Sequence, residues 1–240
     1  MLKFTTFLEQ ISLEYHTTLN PKLFDLSSLK MHDDVRGTLL TFAHAWGDYA
    51  NIPMSDVKDI YMTGGNANFN YTSQSDIDVH LVVDKRLFGL PDVFLDDYLQ
   101  DKKTLWKLKH NITVKGYDLE PYAQSPDERF PAGQGVYSLA RDTWVIQPVH
   151  GSYDFANDPT LEKKTDYYER EIDKIVNHHG TADAAKKLKN KFNEMRSAGL
   201  EKSGEFSVEN LVFKELRNRG AIDKLKEYEQ TVKDRSLSLE

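Results

Sequence analysis

The feature that most constrains the fold is a glycine pair followed, after ten residues, by acids that alternate with apolar residues. Gly64 and Gly65 permit positive φ and let a ligand approach the main-chain amides. Asp76 and Asp78 alternate with isoleucine and valine, and this period of two predicts a strand with both acids on one face, roughly 6.6 Å apart. The apolar face can pack against helices. The sequence therefore predicts a rigid acidic sheet face beside a glycine turn.

A third strand with acidic side chains is predicted at residues 112–122. Asp118 and Glu120 share one face of this segment, and Tyr117 and Leu119 share the other. We favour Glu120 as the partner of the first two acids, because the Pro-Tyr pair that follows it is typical of a strand end. Asp118 is the alternative.

The turn and the acidic strands together resemble the signature of the DNA polymerase beta superfamily of nucleotidyltransferases. That signature is a glycine pair or Gly-Ser, a short variable segment, and an acid-hydrophobic-acid run, with a third acid on a later neighbouring strand. Thr63–Gly65 and Asp76–Val79 fit this pattern. Gly65 stands where many members have serine, so it offers only its amide to a triphosphate.

The resemblance implies an α/β (α+β) fold, with a mixed-sheet nucleotidyltransferase core flanked by helices. It implies a two-metal transfer of a nucleoside monophosphate, from a nucleoside triphosphate such as ATP to a hydroxyl acceptor, with release of pyrophosphate. The acceptor would be RNA or tRNA, a protein or a small molecule. The alternative is a catalytically weak or inactive nucleotide- or RNA-binding module of the same fold.

The same resemblance assigns roles to residues of this chain. The cofactor would be two Mg²⁺ ions, with Mn²⁺ as a substitute. The implied metal ligands and catalytic acids are Asp76, Asp78 and Glu120, with Asp118 as the alternative third acid. The implied nucleotide-binding residues are Gly64, Gly65 and Ser75, although Ser75 is also placed to brace the start of its strand.

Two further segments resemble the small nucleotidyltransferases encoded by tailed bacteriophages. They are the run EFSVENLVFK at residues 205–214 and the run GVYS at residues 135–138. This resemblance names no substrate, but it implies a protein that acts in the cytoplasm, which for a phage-encoded protein is that of the host cell.

Composition excludes several other classes of function. The 240 residues contain no cysteine, which excludes disulfides, thiolate catalysis and cysteine-ligated zinc. The formal net charge of −7 argues against non-specific binding of long nucleic acid, but it does not argue against binding of a small acceptor. No window approaches the roughly 18 apolar residues of a membrane span, so we expect a cytoplasmic protein without membrane association. The oligomeric state stays open.

Periodicity predicts a domain of residues 1–152, the core with N-terminal helices, and a helical domain of residues 153–240. The expected helices of the first domain are Lys3–Tyr15, a segment from Asp33 to about Tyr49, and Asp92–Leu108. The expected strands are 57–62, 76–83 and 112–122, followed by a hairpin at 135–147. Beyond residue 158 we expect four short helices, of which the second ends at Gly199.

Two other groups of residues have two interpretations each. His80 shares the face of Asp76 and Asp78, so it either touches substrate or is a strand histidine satisfied by its neighbours. A basic segment is either a solvated helix face or an acceptor-binding surface; its members are Lys186, Lys187, Lys189, Lys191 and Arg196.

Overall fold

A computed structural model describes residues 11–151 and 153–238 of the chain. These residues have a mixed α/β structure, with six α-helices and one six-stranded mixed sheet. They divide into two compact units. Residues 15–151 form a unit that contains the whole sheet and two helices, and residues 11–14 with 153–238 form a unit that contains the other four helices.

The sheet has the strand order β3-β4-β2-β1-β5-β6. Its strands are β1 (Val57–Thr63), β2 (Ile77–Val83), β3 (Thr113–Val114), β4 (Tyr117–Gln124), β5 (Val136–Ser138) and β6 (Thr143–Ile146). Strands β2 and β4 are parallel, whereas all other neighbours are antiparallel. Parallel strands need a long crossover, and helix α2 (Asp92–Lys109) supplies it.

One face of the sheet is apolar and carries helix α1 (Asp33–Ala50). Ile77, Val79 and Leu81 of β2 are each at most 1% exposed, as their period of two requires. Two aspartates in the first turn of α1 favour the helix start through the macrodipole. The opposite face of β2 presents Asp78 and His80, so the acidic face is carried by the central strands.

The predicted single strand at residues 112–122 is wrong in two respects, because it is divided in two and because its second part continues to Gln124. A turn at Lys115 and Gly116 divides it into β3 and β4, and both residues have positive φ, 53° and 89°. Two-residue turns of this handedness match the twist of antiparallel strands, so they favour a hairpin. Asp118 and Glu120 both lie on β4, and their alternation with apolar residues is retained.

The predicted N-terminal helix falls largely on residues 1–10, which lie outside the described residues. Its described end, residues 11–15, is not helical. Ile11 and Leu13 are buried, and the amide and hydroxyl of Ser12 donate hydrogen bonds to the carboxylate of Glu215, at 3.0 and 2.8 Å. Alternate burial of this kind is the pattern of an extended segment rather than of a helix.

The second unit contains four helices, α3 (Pro159–Asn177), α4 (Ala182–Ser203), α5 (Val208–Asn218) and α6 (Ala221–Leu237). Side-chain caps begin three of them: Asp158 for α3, Thr181 for α4 and Ser207 for α5. The prediction that α4 ends at Gly199 is wrong. A Cβ at Gly199 would lie 2.7 Å from Ser207 Oγ and from Glu209 Cβ, so this glycine permits close packing against α5.

Candidate functional site

The glycine turn at the end of β1 lies directly against an acid of β2. Gly64 has φ +84° and is followed by a single helical turn, Gly65–Ala67. A Cβ at Gly64 would overlap the Oδ2 atom of Asp78, so two constraints, backbone conformation and space, require glycine here. Thr63 and Asp78 are also cross-strand partners. The sheet register therefore holds the Asp78 carboxylate beside the glycine turn.

The loop between the turn and β2 is fixed by polar side chains. Asn66 Nδ2 donates to the carbonyl oxygens of Ser75 and Asp76, at 3.3 and 3.0 Å. Ser75 Oγ accepts a hydrogen bond from the amide of Thr72 at 2.9 Å, and a Cβ at Gly65 would lie 3.1 Å from that oxygen. Ser75 is buried and braces the loop, in agreement with the bracing role that its position allows.

The three predicted acids lie at one end of the parallel strand pair. Asp78 and Glu120 are register partners on β2 and β4, and neighbouring strands are about 4.8 Å apart. Asp76 immediately precedes β2 and is half-buried, whereas Asp118 is exposed. Glu120 is therefore the acid of β4 that lies level with Asp78, while Asp118 lies two residues earlier on the same strand.

Glu120 is held by cations from helix α2. Its Oε1 accepts a hydrogen bond from Lys107 Nζ, and its Oε2 accepts hydrogen bonds from Lys103 Nζ at 2.9 Å and Tyr122 Oη at 2.7 Å. Lys103 and Lys107 are four residues apart, so they project from the same side of α2. Both carboxylate oxygens of Glu120 are thus engaged by donors.

The acids and lysines of the site shift one another's pKa values. Burial alone would raise the pKa of Glu120, but Lys103, Lys107 and Tyr122 lower it to about 2. Burial lowers the pKa of Lys103, an effect that the charges of Glu120 and Asp78 oppose. The pKa of Lys107 is raised, because the hydrogen bond to Glu120 and the charges of neighbouring acids outweigh burial. Asp76 and Asp118 are among those acids.

A stack of side chains continues the cluster across the polar face. Lys103 Nζ lies 3.4 Å from the centroid of the Tyr122 ring, and that ring stacks on His80 with centroids 4.6 Å apart. His80 Nε2 is 3.1 Å from Thr63 Oγ1. Burial lowers the pKa of His80 to about 4, so the imidazole is neutral at pH 7. Nδ1 of His80 is buried and has no hydrogen-bond partner among the described residues, so the neighbours satisfy one ring nitrogen and leave the other unpaired.

The carboxylates of the site can be compared with the ligands that Mg²⁺ prefers. It binds oxygen atoms, usually from one or two carboxylates. Asp76 and Asp78 fit this requirement, because they are hard oxygen donors carried at the start of a rigid strand. Glu120 does not fit while two ammonium groups occupy its oxygens. Within the described residues no group of three or more His, Cys, Asp or Glu side chains has the arrangement of a metal site.

Much of the basic segment of α4 makes contacts within its own helical unit. Lys187 pairs with Asp183 at 2.8 Å and Lys189 with Glu229 at 2.5 Å. Lys191 lies over the ring of Tyr168, and Arg196 Nε donates to Asn210 Oδ1 at 3.2 Å. These contacts favour the interpretation as a solvated helix face, with partners in its own unit, over an acceptor-binding surface.

Sequence reasoning missed Lys103 and Lys107. Their i, i+4 spacing on a predicted helix places them on one face and was the available signal. Nothing in that spacing identifies Glu120 as the partner, because the helix and β4 meet only in the tertiary structure. The prediction that the strand ends at Pro121 and Tyr122 is wrong, because both residues pair with β2 and β4 continues to Gln124. The hydroxyl contact of Tyr122 with Glu120 was not predicted.

None of the helices in the described part of the chain has the length and apolar composition needed to cross a membrane. Comparison with known proteins found no family model that matches this chain, and no curated protein or solved structure with significant similarity to it.

Proposed function

We propose that this protein is a metal-dependent nucleotidyltransferase that moves a nucleoside monophosphate from a nucleoside triphosphate to a hydroxyl acceptor. The observation that carries the proposal is the position of Asp78, which lies against the Gly64 turn on one side and pairs in register with Glu120 on the other. A glycine bend that can approach phosphate beside acids that can hold Mg²⁺ is an arrangement suited to this chemistry.

In this proposal Asp76 and Asp78 would hold two divalent ions and Glu120 is the third acid, with Asp118 as its alternative. When bound, Mg²⁺ would stabilise the charge that develops on the phosphates and favour ionisation of the acceptor hydroxyl. The backbone at Gly64 and Gly65 would lie along the triphosphate. The acceptor oxygen forms a bond to the α-phosphorus as the bond to the bridging oxygen breaks, so that pyrophosphate leaves and the hydroxyl proton is released.

In this proposal the side chains around Asp78 position the site and do not act as general acids or bases. His80 is neutral and stacked on Tyr122, and Thr63 lies beside it. These side chains would keep the Asp78 strand in register while substrate binds. Mg²⁺ or Mn²⁺ is the cofactor of this proposal, and a nucleoside triphosphate with an RNA, protein or small-molecule hydroxyl is its substrate pair.

The proposal is tested by incubating the full chain with labelled nucleoside triphosphates, Mg²⁺, and either total RNA or a cell lysate. We expect covalent incorporation of label, and we expect Asp78→Ala to abolish it by removing a metal ligand. Asp101→Ala, which removes an exposed carboxylate of α2, is the matched control and should retain incorporation. Separation of labelled tRNA, protein and small molecules then identifies the acceptor class.

The runner-up is a nucleotide- or RNA-binding module that does not turn over. The engagement of both Glu120 oxygens by Lys103, Lys107 and Tyr122 favours it, because a third acid held in this way is a weak base and a poor metal ligand. Metal-dependent nucleotide binding without any incorporation of label, in all acceptor fractions, would support this function over transfer.

A further inference from the structure

The carboxylate of Glu120 has a full set of partners among the side chains around it. Lys107 donates to one oxygen, and Lys103 and Tyr122 donate to the other. The side chain of Glu120 is 17% exposed and that of Lys103 only 12%. Removing one partner of a buried ion pair strongly destabilises the folded protein, because the remaining charge is left unpaired. Departure of the lysines from Glu120 is therefore costly unless another cation takes their place.

The two lysines face the other acids of the site as well as Glu120. The charge of Asp78 acts on Lys103, and the charges of Asp76 and Asp118 act on Lys107. The positive charges of α2 thus balance acids that would otherwise repel one another across neighbouring strands. A divalent cation ligated by the same acids would perform the same neutralisation, so lysines and metal are in competition for these carboxylates.

Space is present for the lysines to move. A cavity of about 290 Å³ is bordered by Lys103 and Tyr122 together with other residues of α2 and β4. Lys107 is 44% exposed and borders solvent. Lys103 therefore borders a cavity and Lys107 borders solvent, and each has space beside it for its ammonium group to rotate into.

We infer that Lys103 and Lys107 are positioning residues that hold Glu120 out of the metal shell until a divalent cation displaces them. This inference rests on the proposed function, since it requires that Asp76 and Asp78 bind the cation. On this inference, a divalent cation must displace two lysines before Glu120 can bind it. The displacement also accounts for a carboxylate that lies level with Asp78 and yet is fully engaged by other donors.

The inference is tested by titrating the full chain with Mn²⁺ alone and measuring the dissociation constant by calorimetry or electron paramagnetic resonance. Lys107→Met removes one competitor at a partly exposed position, so the fold should be retained. We expect its affinity for Mn²⁺ to rise about two- to fivefold, the range that corresponds to the free energy of partly exposed charge pairs. Lys103→Met is the second variant and should change affinity in the same direction.

Two controls separate competition at Glu120 from a general change in charge. Lys102→Met removes a positive charge from the same helix, but Lys102 donates to the carbonyl of Tyr49 and not to Glu120, so it should leave the Mn²⁺ affinity near that of the wild type. In a Glu120→Gln background, Lys107→Met should give a clearly smaller gain, because only its interaction with the other acids is then removed. An equal gain with and without Glu120, or no gain in either background, overturns the inference.

Asp78→Asn distinguishes failure of this inference from failure of the proposed function. If Asp78→Asn abolishes Mn²⁺ binding while Lys107→Met has no effect, the metal site stands and the lysine displacement is wrong. If Asp78→Asn leaves Mn²⁺ binding intact, the acids of β2 do not hold the metal, and both the proposed function and the inference are overturned.

Discussion

At the scale of single residues, Gly64 is the position on which the site geometry depends most. Its φ of +84° is a conformation that L side chains rarely adopt, and the Asp78 carboxylate occupies the space of a Cβ. Glycine here does two things, because it turns the chain out of β1 and it leaves room for the acid. The close approach of backbone and carboxylate is therefore a direct consequence of one missing methyl group.

We predict that Gly64→Ala lowers the free energy of unfolding by about 2 to 4 kcal/mol, the sum of backbone strain and steric overlap. It should also weaken Mn²⁺ binding, because the overlap pushes Asp78 from its position. Gly89→Ala is the matched control, since Gly89 has φ +63° with open space around its Cβ, and it should cost about 1 kcal/mol. Denaturant unfolding and Mn²⁺ titration of both variants check this; equal losses of stability would contradict it.

At the scale of elements, periodicity in the sequence predicts most helices and strands, but it does not predict how closely these elements pack against one another. The alternation at residues 76–83 and the capping residues Asp158 and Ser207 are local signals, and the elements they predict are present. Gly199 shows the limit of such reasoning. A glycine near a predicted helix end is normally read as a stop, but here the neighbouring residues of α5 occupy the space of its side chain.

We predict opposite effects of Gly→Ala in two helices. Gly199→Ala should destabilise the protein by about 1 to 3 kcal/mol, because its new methyl group overlaps Ser207 and Glu209. Gly37→Ala in α1, where no atom other than the local helix backbone lies within 4 Å of the position that the new methyl group would take, should stabilise it by about 0.5 to 1 kcal/mol through helix propensity. Thermal or denaturant unfolding measures both, and a stabilising Gly199→Ala would refute the packing explanation.

At the scale of the whole molecule, each compact unit has its own kind of structure. The sheet unit, residues 15–151, contains all the acids and lysines of the candidate site, and the other unit contains four packed helices. The sequence could place Asp78 and Glu120 on strands and Asp76 next to one, because a period of two fixes their face. It could not show that Lys103 and Lys107 contact Glu120. That contact depends on the pairing of β2 with β4 and on the position of α2, which are set by the tertiary structure.

The most direct test of the central claim is a crystal structure of the full chain with Mg²⁺ and a non-hydrolysable nucleoside triphosphate. The account predicts Mg²⁺ ligated by Asp76 and Asp78, the triphosphate along Gly64 and Gly65, and the ammonium groups of the two lysines withdrawn from Glu120. Metal and nucleotide bound away from Asp76 and Asp78, or a protein that binds neither while the lysines stay on Glu120, would contradict it.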